Sequence, residues 1–491
     1  MKLRIAIEHM HASASNIPPV LLNDEVTGCV IDSREVKAGN VFFALSQPDY
    51  KENGFNGDFD DSTRYVPAAF AAGAVACVIR HNRLEDHYEM LEPFHDRLVV
   101  VDDTIAALQN LAQGVYKEWG NTVVAITGSA GKTTAKELTA HVLSSDGITV
   151  LRNIKNYNNG LGHPLTVLNL ATDPGFDIAV LEMGMSTPMR EIARLCKISP
   201  PDVAVVLNVL PVHLEHLGSI ENVAKAKAEI VEGMKDGGIA VLNADDELTL
   251  AMAPLSKGRV VTFGFSDSAD VRAANVSVSG FGASSFDLIA DGKSHHVSFP
   301  LNGRHNISNA LAAAAVAYSL GRPLDTIAER LASVAAPAQR GEVLKFAQGF
   351  TVINDSYNSN PTALLSMTRT MIEGAEGASR KIVVAGEMLE LGPAAAEIHS
   401  ATGADIAKAG IDMVIGVRGL AKELVEAARA GGLNGVFAAD SDDAAEKLTA
   451  LIRPGDVVLI KGSRGVRTEV VIERLVEKFE LENSEDLPAA A

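Results

Sequence analysis

The string Thr127-Gly-Ser-Ala-Gly-Lys-Thr-Thr134 constrains this chain more than any other stretch, because an apolar run at 123–126 precedes it and Lys136-Glu-Leu, which reads as a helix, follows. A glycine-bearing turn between a strand and a helix N-terminus gathers backbone N–H groups around an anion. Gly128 and Gly131 let the backbone of Ser129 and Ala130 turn inward. Lys132 can reach terminal phosphates, the hydroxyl of Thr133 can ligate magnesium, and Thr134 leads into the helix. The loop predicts a bound nucleoside triphosphate. Only two residues separate its glycines, where the commonest phosphate loop has four. An ordinary glycine-rich turn is the competing reading.

At 491 residues the chain is too long for one hydrophobic core, and 47% apolar residues suffice for several. The formal charge of -19 argues against a general affinity for nucleic acid or anionic membranes and favours small-molecule partners. Cys29, Cys77 and Cys196 are far apart and form no CxxC pair, so neither a disulfide framework nor a zinc site is expected, and buried inert thiols fit better. No apolar stretch approaches the ~20 residues that span a bilayer. A cytoplasmic protein without membrane insertion is expected, with a solvated tail from Glu480 onward.

The first part of the chain mixes short apolar runs (29–31, 41–45, 75–79, 98–101) with polar turns and ends in a helix-like stretch at 104–119. It reads as a small α/β unit. From Thr122 onward continuous apolar strands at 123–126, 148–151, 178–181, 203–207 and 239–242 alternate with helical segments, which indicates a parallel sheet covered on both faces. Alternating strands between 261 and 297 read as an antiparallel edge, and an alanine-rich run at 309–319 as a helix. After a linker-like segment at 335–341, strands at 352–353, 382–385, 413–415 and 457–460 predict a second doubly wound sheet. Ligands of such sheets sit at the carboxyl ends of the strands.

Several chemistry-bearing residues fall at those ends. Glu182 closes the strand at 178–181, where a carboxylate can meet a cation held by Thr133; a solvated acid is the alternative. His213 and His216 follow the strand at 203–207, and either can be functional or structural. Lys225 and Lys227 lie on the next helix, where lysines are usually solvated. The string Leu301-Asn-Gly-Arg-His-Asn-Ile-Ser-Asn309 offers amides suited to an adenine edge or to helix capping. Arg340 and Asn354-Asp-Ser-Tyr-Asn-Ser-Asn-Pro361 follow, the latter being either a ligand loop or an Asx turn before a helix. Gly386-Glu-Met-Leu-Glu-Leu-Gly392 and Lys461-Gly-Ser-Arg464 close two further strands.

In this order the strings resemble the Mur ligase family, ATP-dependent amide ligases of cell-wall precursor synthesis, over nearly the whole chain. Asp32-Ser-Arg34 with Phe42-Phe-Ala-Leu45, Tyr357-Asn-Ser-Asn-Pro361 and the 386–392 string are similar to the branch that adds D-Ala-D-Ala to UDP-MurNAc-tripeptide. The Asp-Asn-Pro-Arg string of diaminopimelate-adding relatives does not occur. The resemblance implies an α/β fold of three domains: a UDP-sugar domain at 1–120, a central P-loop-type ATPase at 121–336 and a C-terminal Rossmann-like domain at 337–491.

It also implies residue roles. Phosphate binding falls to Gly128, Gly131, Lys132 and Thr133, and magnesium to Thr133, Glu182 and His213. Lys227, rather than Lys225, matches the family's carbamylated lysine. Adenine falls to Asn306 and Asn309, ribose to Asp355 and the terminal phosphate to Arg340. Ser33 and Arg34 are expected near UDP, and Asn358, Asn360 and Lys461 near the incoming dipeptide. A monomer acting on small molecules is expected. The chain departs from the family at Lys51-Glu-Asn-Gly-Phe-Asn-Gly-Asp-Phe59, where relatives more often show Asp-Gly-His, and at Pro188-Met-Arg-Glu191, where they show Gly-Glu. A folylpolyglutamate synthase would share the loop but lack the N-terminal region. A regulatory P-loop NTPase would leave the 354–361 string unexplained.

Overall fold

Continuous apolar runs form the spine of the chain, because only strands buried on both faces can consist of such residues throughout. The computed structural model describes residues 1–55, 59–145, 147–154, 157–173, 175–185, 190–211, 217–279, 283–334, 341–389 and 391–482. Among these residues the strands form three sheets.

The first sheet is parallel, in the order β1 (Gly28–Val30), β2 (Asn40–Phe43), β3 (Ala76–Arg80), β4 (Leu98–Val101). The second contains β5 (Thr122–Thr127), β6 (Val150–Arg152), β7 (Ile178–Glu182), β8 (Val203–Val206), β9 (Ile239–Asn243), β10 (Arg259–Gly264), β11 (Val271–Ser279), β12 (Ala283–Ala290) and β13 (Lys293–Phe299). Its order is 13-12-11-10-9-8-5-7-6. Strands β6 and β7 lie on one side of β5, and β8 onward on the other, so the chain order reverses at β5. That is where open α/β sheets bind ligands.

The predicted antiparallel edge is real but begins later than expected. Strand β10 runs parallel to both β9 and β11, and antiparallel pairing starts between β11 and β12. The third sheet contains β14 (Glu342–Lys345), β15 (Thr351–Asp355), β16 (Arg380–Gly386), β17 (Met413–Val417), β18 (Asn434–Ala438) and β19 (Asp456–Lys461), ordered 14-15-19-16-17-18. It is parallel except at β14. Neither β14 nor β18 was expected from the sequence. Both lie at sheet edges and are only partly buried, which weakens the apolar signal.

Side-chain alternation along β5 divides the central core. Val123 and Ala125 face a core that includes the helix Thr104–Trp119 and residues of the first sheet, while Val124 and Ile126 face the helices Lys132–Leu143 and Arg304–Ser319. The helix 104–119 therefore joins the first sheet to the second through one continuous core. It is fixed further by Trp119 Nε1 donating to Phe176 O (2.9 Å) and Gln109 Nε2 to Gly160 O (2.9 Å).

The expected solvated tail needs a correction at its start. Residues 480–482 pair with the β14 hairpin, Ala347 N donating to Glu480 O (2.8 Å) and Glu482 N to Lys345 O (2.9 Å); residues 483–491 lie outside the described range. The three cysteines are free thiols. Burial pushes Cys29 and Cys196 up to about 12, and Cys77 higher still. No described helix is long and apolar enough to cross a membrane.

The helices Ala395–Ala407 and Ala421–Ala430 touch where Gly403 lies against the carbonyl of Leu424, which a Cβ would overlap. Gly403→Ala is expected to destabilise this pair by roughly 1–3 kcal/mol, read as a lower urea midpoint. An unchanged midpoint would contradict the packing.

Candidate active site

The loop after β5 is shaped by one left-handed glycine and one asparagine. Gly131 has φ 83°, and a Cβ there would collide with the amide of Asn309. Asn208, after β8, clamps the opposite side. Ala130 N donates to Asn208 Oδ1 (2.9 Å), Asn208 Nδ2 to Ala130 O (3.1 Å), and Ser129 N to Asn208 O (3.1 Å). Ser129 Oγ donates to Leu210 O (3.1 Å). Contrary to expectation, the amides of Ser129 and Ala130 are thus engaged within the protein. The first-turn N–H groups of helix 132–143, which have no intrahelical acceptor, remain for an anion. Lys132 Nζ donates to Gly128 O (2.9 Å), so the ammonium lies folded over the loop.

The first turn also meets the end of β7. Thr133 Oγ1 donates to Glu182 Oε2 (2.8 Å), and Asn158 Nδ2 donates to Glu182 Oε1 (2.7 Å). Asn153 fixes the backbone there, its Oδ1 accepting from Glu182 N (2.6 Å). Glu182 is buried. A buried carboxylate beside a hydroxyl provides hard oxygen donors of the kind magnesium prefers, and Thr133 and Glu182 can turn both oxygens to one ion.

Lys227 lies on the helix Ile220–Glu232 and is buried with 2% exposure, unlike a solvated helix lysine. Desolvation, with Lys132 as a second cause, holds its amine well below the usual lysine range. This buried amine thus sits within electrostatic reach of the loop lysine.

Asn306 and Asn309 lie inside the helix Arg304–Ser319, which begins five residues earlier than the alanine run suggested. Asn309 packs on Gly131, and Asn306 Nδ2 donates to Asn302 O (2.8 Å). At the start of this helix His305 lies within electrostatic reach of Asp355 and Lys461, and burial, its largest influence, holds the imidazole below its usual range. A Cβ at Gly303 would lie 2.9 Å from Thr370 Oγ1 of the helix Pro361–Gly374. The carboxyl edge of the third sheet therefore approaches the helix that carries Asn306 and Asn309.

The residues expected at the dipeptide are engaged within the protein. Lys461 Nζ donates to Asp355 Oδ2 (2.6 Å) and to Asn358 O (2.7 Å) and is 5% exposed. Asn360 caps helix 361–374, its Oδ1 accepting from Ala363 N (2.8 Å). Ser33 and Arg34 lie in a short turn after β1, where Arg34 Nη2 pairs with Asp32 Oδ2 (2.6 Å) and holds that carboxyl below its usual range. His213, His216 and Arg340 lie outside the described residues, as does most of the 335–341 linker. Asn153, Asn158 and Asn208 were not singled out from the sequence. Their only signal there is an amide next to an apolar run or a glycine, which hundreds of loops share.

Comparison with known proteins explains this arrangement. Residues 126–317 match the Mur ligase middle domain, and residues 339–464 the Mur ligase glutamate ligase domain. The chain belongs to the Mur ligase family. A relative from Escherichia coli (strain K12), UDP-N-acetylmuramoyl-tripeptide--D-alanyl-D-alanine ligase, is 35% identical, the match covering 93% of this chain and 97% of that one. A crystal structure of MurF from Acinetobacter baumannii superposes with TM-score 0.84 at 27% identity, covering 97% and 99% of the two chains. MurF from Thermotoga maritima, in complex with ADP, gives TM-score 0.78 at 28% identity over 94% and 99%. This Mur ligase thus carries the phosphate loop, Glu182, Lys227, Asn306 and Asn309 within the matched middle domain, and Asp355 and Lys461 within the matched second region.

Burial of Lys227 has a measurable consequence. Between its lowered folded pKa and the ordinary 10.5, the unfolded chain binds a proton that the folded chain does not, so stability rises with pH across that window. In buffer freed of CO2, Lys227→Met is expected to unfold at pH 7 with roughly 1–3 kcal/mol more stability than wild type. The gap should narrow as pH approaches 10.5. A less stable variant at pH 7 would contradict a buried amine that costs the fold stability.

Proposed function

We propose that this chain is an ATP-dependent ligase that joins D-Ala-D-Ala to UDP-MurNAc-tripeptide and yields UDP-MurNAc-pentapeptide for peptidoglycan. The observation that carries the reading is the approach of two sheet edges: a phosphate loop with Asn309 on one, and Asp355 with Lys461 on the other. A regulatory NTPase needs only the first.

A carboxylate is a poor electrophile, so the tripeptide's terminal carboxylate first attacks the γ-phosphorus of ATP, giving an acyl phosphate and ADP. The amine of D-Ala-D-Ala then attacks the acyl carbon, losing a proton, and inorganic phosphate leaves as the amide forms. Lys132 and the first-turn amides of helix 132–143 hold the phosphates and neutralise charge that grows on the transferring group. Asn306 and Asn309 receive the adenine, and Asp355 the ribose. Arg340 is carried over from the resemblance to the terminal phosphate, and Ser33 and Arg34 to the UDP end. Thr133 and Glu182 would hold magnesium, with His213 carried over as a third ligand; bound there, the ion supplies electrostatic stabilisation of the phosphates.

Lys227 is suited to carbamylation because a neutral amine is the form that attacks CO2, forming an N–C bond and releasing a proton. The product anion sits beside Lys132, reversing their repulsion. The domain ranges 1–120, 121–336 and 337–491 then correspond to UDP-sugar, ATP and amine-substrate handling.

The test is phosphate release from ATP with the tripeptide nucleotide and D-Ala-D-Ala supplied together or singly. Sustained release is expected only with both; equal release with neither would falsify the ligase assignment.

A further inference from the structure

Resting on that function, we infer that Arg418 receives the terminal carboxylate of the incoming dipeptide. An amine substrate ending in a free carboxylate needs a cation at the carboxyl edge of the third sheet, and the residue expected for it, Lys461, is already bonded to Asp355 and Asn358. Arg464 is also engaged, lying over the ring of Tyr357 at 5.6 Å and 4.0 Å from Glu469.

Arg418 differs in three respects. It directly follows β17 with φ 68°, a left-handed conformation that side-chain-bearing residues rarely adopt and that concentrates at ligand sites. Its guanidinium is held in place: Nη1 donates to Gly465 O (2.6 Å), and Nε lies 3.9 Å from Glu387 Oε2. Among the described residues Nη2 has no hydrogen-bond partner, and the side chain is 50% exposed. Nη1 is thus anchored to the protein while Nη2 keeps its protons for an acceptor, and a carboxylate is the acceptor that gains most from a charge-assisted bond to arginine.

The surrounding loops are built to keep that posture. Glu387, just past β16, is 15% exposed, accepts from Leu420 N (2.9 Å) and packs so closely on Gly419 that a Cβ there would overlap its carboxylate. The next residues of the same loop are tied down as well, Met388 N donating to His399 Nε2 (2.9 Å) and Leu389 N to Ser463 Oγ (3.0 Å). Because Nε2 accepts, the His399 proton resides on Nδ1 and donates to Ala395 O (2.7 Å). Arg418 thereby reaches across β16 to the loop after β19, the neighbour of β15 and its ribose-type Asp355. A dipeptide spans at most ~7 Å. A carboxylate bound at Nη2 would keep the amine within that distance of Arg418.

The full-length enzyme is assayed for phosphate release with D-Ala-D-Ala and with its C-terminal amide, D-alanyl-D-alaninamide, which keeps the amine and loses the negative charge. Wild type is expected to favour the acid by roughly 10- to 100-fold in kcat/KM, the range of a hydrogen bond to a charged group. Arg418→Met should lose that preference by weakening the acid alone, with the KM values for ATP and the tripeptide nucleotide unchanged. Arg418→Gln, which keeps polarity and length, should do the same, and it serves where the Met variant fails to fold. A variant that still favours the acid as wild type does overturns the assignment, as does a wild type that accepts both equally. A wild type inactive with either dipeptide refutes the ligase reading itself.

Discussion

The packing of Asn309 against Gly131 ties the loop after β5 to the helix 304–319. It is possible because Gly131 is left-handed and lacks a Cβ, and it places helix 304–319 directly against the phosphate loop. The same helix carries Asn306, and its N-terminal His305 faces Asp355 and Lys461 of another sheet. One close approach of a side chain to a glycine thus fixes the loop after β5 against the helix whose start lies near Asp355 and Lys461.

Electrostatics then divides labour among the lysines. Lys132 lies over the loop, Lys461 is consumed by Asp355, and Lys227 is buried, its amine held low by desolvation first and by Lys132 second. A buried amine of this kind is a standing cost to the fold, and such a cost is typical of a residue kept for chemistry. Arg418 shows the complementary case, a cation held by the carbonyl of Gly465 and by Glu387, with Nη2 left over among the described residues.

Much of this was legible in the sequence because it is local. The apolar runs that became β5, β7, β8 and β9 each needed only a few adjacent residues to declare themselves, and Glu182 closes β7 as its position implied. What the sequence concealed is long-range or masked by weak patterning. Asn208 meets Ala130 across 78 positions, and Asn158 meets Glu182 across 24. Helix 304–319 starts before its alanines because Arg304, His305 and Asn306 are placed by Gly303 and by contacts, not by propensity. Lys461 reads as a free strand-end cation until Asp355, on a neighbouring strand, is seen to claim it.

A single nucleotide site shared by the second and third sheets can be measured by calorimetric titration of a non-hydrolysable ATP analogue with magnesium into wild type and Asp355→Ala. The account predicts that removing this carboxylate from the third sheet weakens binding by about tenfold, the loss of a charge-assisted hydrogen bond to ribose. Unchanged affinity would contradict it and confine the nucleotide to the second sheet alone.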